Sequence, residues 1–156
     1  MSRRDQIKMT DDEVAALLRD QRVVICATNG SDGFPHLMPL WYILREGEVW
    51  AWTYGASQKI KNLERDPRAT LQVETGVEYQ ELRGVMIKSY VELIRDVEAI
   101  TEIGLEIFRR YAPPDLGDLA PEVAEMVRKQ ALKRVGMRFV PQSLATWDHR
   151  KLAGVY

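Results

Sequence analysis

The sequence predicts a mainly β domain of the α+β class: an antiparallel barrel decorated by peripheral helices. Apolar, β-branched runs recur along the chain, joined by short turn-forming connections. One run, residues 82–94, is long and carries Gly84 near its start, as strands do when they bend round the corner of a small barrel. The helical stretches fall between or beyond these runs and have one apolar face to bury. The length of 156 residues fits one domain, residues 1–156.

Taken in order, Thr10-Asp11-Asp12-Glu13 is a capping box that opens a helix through Val14, Leu17 and Leu18. Residues 22–28 are apolar and β-branched, a buried strand, and residues 29–33 form a turn with two glycines. Residues 36–44 are the next strand. Pro39 within it cannot donate to a ladder, which implies a bulge or an edge. The turn 45–48 closes a hairpin to a strand over 49–54, and a short helix runs from Ser57 to its stop at Pro67. A strand over 69–74, a connection over 76–80 and the long strand 82–94 follow. Asp96 caps a helix with Ile100, Ile103, Ile107 and Tyr111 on one face. Residues 111–117 form a loop, Pro121 starts a helix to about residue 133, and strands are expected over 135–140 and 144–147.

The short helix after Ser57 is the most informative stretch, because its charges run against the helix dipole. Acids favour a helix start and bases a helix end. Here Lys59 and Lys61 occupy the first turn, while Glu64 and Asp66 lie near the end. Free backbone N–H groups already make the start positive. The order suits a docked anion, since helix N-termini are phosphate sites; a solvated helix with ordinary surface lysines gives the same string.

Several chemistries are excluded or unsupported. The single cysteine allows no intrachain disulfide, and with two histidines there is no Cys/His metal cluster. Cys26 lies in an apolar run and reads as a small core residue. The net charge of −1 argues against a general nucleic-acid surface. Residues 1–8 lack the apolar region of a signal peptide, and no stretch reaches membrane-spanning length, so a cytoplasmic location is expected. There is no Gly-x-Ser-x-Gly elbow, P-loop or Gly-x-Gly-x-x-Gly fingerprint. What remains is ligand binding at the short helix and chemistry that a bound cofactor supplies.

Three segments carry a family resemblance: Pro35-His36-Leu37-Met38-Pro39-Leu40-Trp41-Tyr42, then residues 52–63, with Thr53, Ser57, Gln58, Lys59 and Lys61, then Asp66-Pro67-Arg68. Together they resemble the flavin-binding split-barrel proteins related to pyridoxamine 5′-phosphate oxidase. They are closest in look to the actinobacterial branch of oxidoreductases that depend on a deazaflavin, coenzyme F420. The C-terminal Trp147-Asp148-His149-Arg150-Lys151-Leu152 also looks like one subgroup of that branch.

The resemblance implies a six-stranded split β-barrel and a homodimer with the cofactor site at its interface. It places Thr53 beside the flavin ring and Ser57 and Lys59 at the phosphate. Gln58 stands where the true pyridoxamine phosphate oxidases have arginine, which argues against that activity. Lys61 resembles the extra base of the deazaflavin branch, whose cofactor carries a phosphodiester and a polyglutamate tail. Met38, Pro39 and Leu40 are expected to offer backbone and apolar contacts to the ring, though a plain barrel strand would read alike. Trp147 and Arg150 either close a pocket or end a solvated strand. Tyr79, Tyr90 and Tyr111 are substrate-contact candidates that the sequence does not rank. The implied function is hydride transfer between coenzyme F420 and a small organic substrate. FMN as cofactor and a non-catalytic cofactor- or haem-binding role are the alternatives. No protein general acid is identifiable.

Overall fold

The computed structural model describes residues 2–114, 119–152 and 154, so part of the expected 111–117 loop lies outside the described residues. Helices α1 (Arg3–Gln6) and α2 (Asp11–Asp20) precede strands β1 (Val24–Asn29), β2 (Pro35–Leu40), β3 (Ile43–Arg45) and β4 (Glu48–Tyr54). Helix α3 (Gln58–Arg65) leads into β5 (Arg68–Thr75) and β6 (Arg83–Ile94). Helices α4 (Val97–Tyr111) and α5 (Pro121–Ala131) then precede β7 (Arg134–Asp148). The strands form one antiparallel sheet in the order β2-β1-β5-β6-β7-β4-β3, curled into a half-open barrel.

The sheet has seven strands, not the six expected. The expected strand over 36–44 is broken in two. At the break the Tyr111 hydroxyl accepts a hydrogen bond from the Tyr42 backbone N–H at 3.0 Å, replacing a ladder partner, and lies 3.1 Å from the Tyr42 carbonyl. Conversely, the two strands expected over 135–140 and 144–147 are one, β7, because β6 pairs along its whole length. A register shift at Lys88/Ser89 absorbs the extra residue, Gln142 of β7. Pro39 lies on β2, the end strand of the sheet, where a missing donor costs nothing.

The barrel interior is filled from both ends of the chain. Val24, Leu71, Val73, Val85, Met137 and Phe139 point inward, and α2 closes the interior with Val14, Leu17 and Leu18. The capping box at Thr10 and Glu13 is present as expected and fixes where α2 starts. Each fully buried aliphatic side chain contributes about 1.5–3 kcal/mol relative to exposure. A second, smaller cluster packs α4 against the outside of β3 and β4 through Ile43, Ile103 and Ile107. Gly104 allows this approach: a Cβ there would stand 2.4 Å from the Trp52 ring. Among the described residues no helix is long and apolar enough to cross a membrane.

Candidate active site

Helix α3 is anchored before it is functional. Ile60 and Leu63 are buried in the core, and Asn62, fully buried, donates to the Thr28 hydroxyl at 3.0 Å, tying α3 to β1. Gln58 donates to the Asn62 carbonyl oxygen at 2.9 Å, so Gln58 serves the same anchor. The structure resolves half of the reversed charge order. Glu64 pairs with Arg95 at 2.6 Å, and Asp66 pairs with Arg68 at 2.7 Å. Hydrogen bonds from Arg68 and then Asn29 hold the Asp66 carboxyl well below the usual carboxylate range. The acids at the helix end are therefore explained by local arginines. The lysines at its start are not.

The start of α3 is open to an anion. Ser57 has the extended N-cap backbone, but its side chain makes no capping hydrogen bond, and no acid occupies the first turn. The Ser57 hydroxyl is buried and has no partner. Lys59 is only 6% exposed, and its ammonium donates to the Thr53 hydroxyl at 3.3 Å. Burial lowers the Lys59 pKa from the ordinary lysine value; the nearby Cys26 opposes this only weakly. Burial also pushes the Cys26 thiol up to about 12, so it is neutral and gives no counter-charge. A buried cation facing only neutral groups is costly unless a ligand supplies the anion.

Lys59 and Thr53 open on a cavity of about 400 Å³, walled by Pro39, Leu40 and Trp41 on one side and by Ile107 and Phe108 of α4 on another. That volume lies in the range of small-molecule sites. The Trp41 indole is held by Tyr111, whose ring stacks on it at 4.4 Å with a 6° tilt. Tyr111, one of the substrate-contact candidates, buttresses the wall through this stack.

The structure thus gathers Pro39, Leu40, Thr53 and Lys59 on one cavity; Ser57, the N-cap two residues before Lys59, does not line it. Met38 pairs with Cys26 and shares the face of β2 that carries Leu40, but it is 45% exposed and does not line the cavity. Gln58 lines a separate polar cavity of about 340 Å³ with Asn62 and His36. Lys61 is exposed, so the two first-turn lysines diverge instead of forming one cradle. Trp147 and Arg150 are not near the cavity along the chain. Thr53 pairs with Val135 at the start of β7, and Trp147 lies about 40 Å of strand further on at about 3.3 Å per residue. There the Trp147 indole covers Gly84, where a Cβ would stand 2.4 Å from the ring. Arg150 pairs with the buried Asp148 at 2.6 Å and holds its pKa down.

Sequence reasoning missed Trp52, Gly104, Phe108 and Arg134, which also line the cavity. Gly104 left a signal, an isolated glycine inside an apolar helix face. Trp52 stood in the segment 52–63 without being singled out, and Phe108 and Arg134 left no signal.

The family model described as pyridoxamine 5′-phosphate oxidase matches residues 10–141. The chain belongs to this family. The matched segment holds every residue of the cavity and the α3 start named above, and ends before Trp147 and Arg150. Among solved structures, the conserved hypothetical protein Rv2991 from Mycobacterium tuberculosis is 37% identical, with a TM-score of 0.88 over 100% of this chain and 95% of that one. A structure titled F420 reductase, 18% identical, has a TM-score of 0.65 over 86% of this chain and 98% of that one. HutZ, the heme storage protein from Vibrio cholerae, 13% identical, gives 0.67 over 88% and 94%. The last two show the shared fold. No curated protein matches the chain. As a member of the pyridoxamine 5′-phosphate oxidase family, the chain has a split-barrel fold that also carries both flavin-type and haem proteins, so the residues of the site must decide between them.

Proposed function

We propose that the protein is an oxidoreductase that moves a hydride between bound coenzyme F420 and a small organic substrate, working as a homodimer with the site at the interface. The observation that carries this reading is the buried Lys59 ammonium with no carboxylate partner, two residues beyond the unpartnered Ser57 hydroxyl of an uncapped helix start. This donor set fits the phosphate-bearing arm of a flavin-type cofactor. The chemistry would come from the bound ring, as a hydride acceptor or donor. The chain's own residues do the rest. Lys59, Ser57 and the free N–H groups of α3 bind the anionic arm. Thr53 holds the Lys59 ammonium in place. Pro39, Leu40 and the Trp41–Tyr111 stack keep the cavity wall apolar and exclude water. The exposed Lys61 and Arg65, on a different side of α3 from Lys59, offer further cations that one compact phosphate does not need, which favours the tailed cofactor over FMN.

Titration of the protein with F420 and with FMN tests the reading. Lys59→Ala is expected to weaken F420 binding about tenfold or more, the worth of a charge-assisted contact. Lys133→Ala, which removes an exposed cation outside the cavity, is the control and is expected to bind as the wild type does. Equal affinities for the two variants would remove the α3 start from the site. Tighter binding of FMN than of F420 would leave the flavin reading and reject the deazaflavin. A Soret band on the purified protein would favour the haem reading.

A further inference from the structure

The same cavity holds a second cation that the proposed cofactor contacts do not use. Arg134, the first residue of β7, has its guanidinium 4.4 Å from the centre of the Trp52 ring and 4.2 Å from that of Tyr54. Both rings belong to β4, and Tyr54 is the ladder partner of Arg134, so strand pairing fixes the arrangement. The Arg134 Nε is buried with no hydrogen-bond partner. Among the described residues no acidic side chain pairs with the group, and burial lowers its pKa from the ordinary arginine value. Elsewhere in the described structure the exposed arginines 68, 95 and 128 each have a carboxylate. Arg134 lacks one although it is less exposed than they are.

The cavity supplies no counter-charge either. Among the described residues its lining contains Lys59 and Arg134 and no aspartate or glutamate. The remaining walls are aromatic and apolar, chiefly Trp41, Trp52, Phe108 and Met126, with Gln130 as a neutral polar group. A guanidinium held over two rings keeps its donor fork confined, which suits a planar, two-oxygen partner. Two cations in a cavity without an acid leave a negative group missing, and the aromatic walls suit a flat body attached to it.

We propose that Arg134, with Lys59, is the receptor for an oxyanion carried on a flat aromatic or apolar body. That oxyanion is the carboxylate of a substrate or the phosphate of the cofactor. The proposal rests on the reading of this cavity as the flavin-type site. It makes the protein selective for acids over their neutral analogues.

The test uses calorimetry on the whole protein with four probes: benzoate and its neutral isostere benzamide, and FMN and riboflavin. Wild type, Arg134→Gln and Arg134→Lys are compared. If the substrate supplies the oxyanion, Arg134→Gln weakens benzoate about tenfold or more and leaves benzamide unchanged. If the cofactor supplies it, Arg134→Gln weakens FMN and leaves riboflavin unchanged. Arg134→Lys restores part of the loss in either case, because an ammonium keeps the charge and not the fork. A folded Arg134→Gln that binds all four probes as the wild type does overturns the proposal, as does a wild type that binds neither benzoate nor FMN. Where Arg134→Gln loses its fold, Arg134→Lys carries the comparison, and unchanged affinity for benzoate and FMN in it overturns the proposal. Failure of the flavin-type reading looks different: the wild type binds neither FMN nor F420, while benzoate still binds through Arg134.

Discussion

Lys59 shows what a binding residue costs the empty protein. Its ammonium is buried against a hydroxyl and a neutral thiol, and burial depresses its pKa from 10.5. The folded state therefore binds fewer protons than the unfolded one between the two pKa values. Stability then rises with pH across that window, which ends near 10.5. Lys59→Met keeps the length of the side chain and removes the charge. It is expected to stabilise the unliganded protein by about 1 kcal/mol or more at neutral pH, since a well-packed apolar group replaces an unpaired buried ion. It is also expected to flatten the rise of stability with pH and to weaken the cofactor. Urea midpoints from about pH 7 to pH 10, with and without F420, measure all three. A Lys59→Met protein less stable than the wild type without ligand would mean that the ammonium has a partner inside the barrel.

At the scale of elements, the wall of the cavity depends on one hydroxyl at the end of α4. Tyr111 accepts from the Tyr42 N–H, lies 2.8 Å from the Arg22 carbonyl and stacks on Trp41. Tyr111→Phe keeps the stack and strands the Tyr42 N–H, a loss of about 1–3 kcal/mol for an unsatisfied, partly buried donor. Thermal unfolding should show that loss, while the stacked indole keeps its emission maximum. Tyr111→Leu should lose both. An unchanged melting temperature in Tyr111→Phe would show that water replaces the hydroxyl. This contact also marks where the sequence stopped being legible. Strand periodicity runs unbroken through residues 36–44, and nothing in it announces that a residue of α4 interrupts the ladder. The helix starts, by contrast, were legible at Thr10 and Asp96, because caps are local chemistry. Ser57 marked the start of α3 equally well, but only the structure shows that its hydroxyl is left without a partner. The binding stretch was visible in its charge order for half a reason: Lys59 and Lys61 stand unpaired at the start, whereas Glu64 and Asp66 are accounted for by distant or neighbouring arginines. Arg134 was invisible, since its meaning comes from the pairing of β7 with β4.

At the scale of the whole molecule, the sheet ends on an unusually apolar edge. β2 is the terminal strand, and Leu37 is 57%, Met38 45% and the adjoining Trp41 57% exposed. Phe34, just before the strand, is 74% exposed. An edge of this kind invites pairing, and only Pro35 and Pro39 blunt it. The partner that satisfies it in the proposed function is a second copy of the chain, in an isologous contact. The same contact would explain how Trp147 and Arg150, remote from the cavity within one protomer, reach the site expected of them: they would belong to the partner's cavity. Sedimentation at micromolar concentration should therefore show a species of twice the chain mass. The double variant Phe34→Glu, Leu37→Glu, at exposed positions outside the cavity lining, places like charges on both sides of a two-fold contact and should dissociate it. If the site is shared, F420 affinity falls with dissociation, and Trp147→Ala or Arg150→Ala lowers it in the intact dimer. A monomeric variant that keeps wild-type affinity would assign the whole site to one chain, leaving Trp147 as the cover of Gly84 and Arg150 as the partner of Asp148.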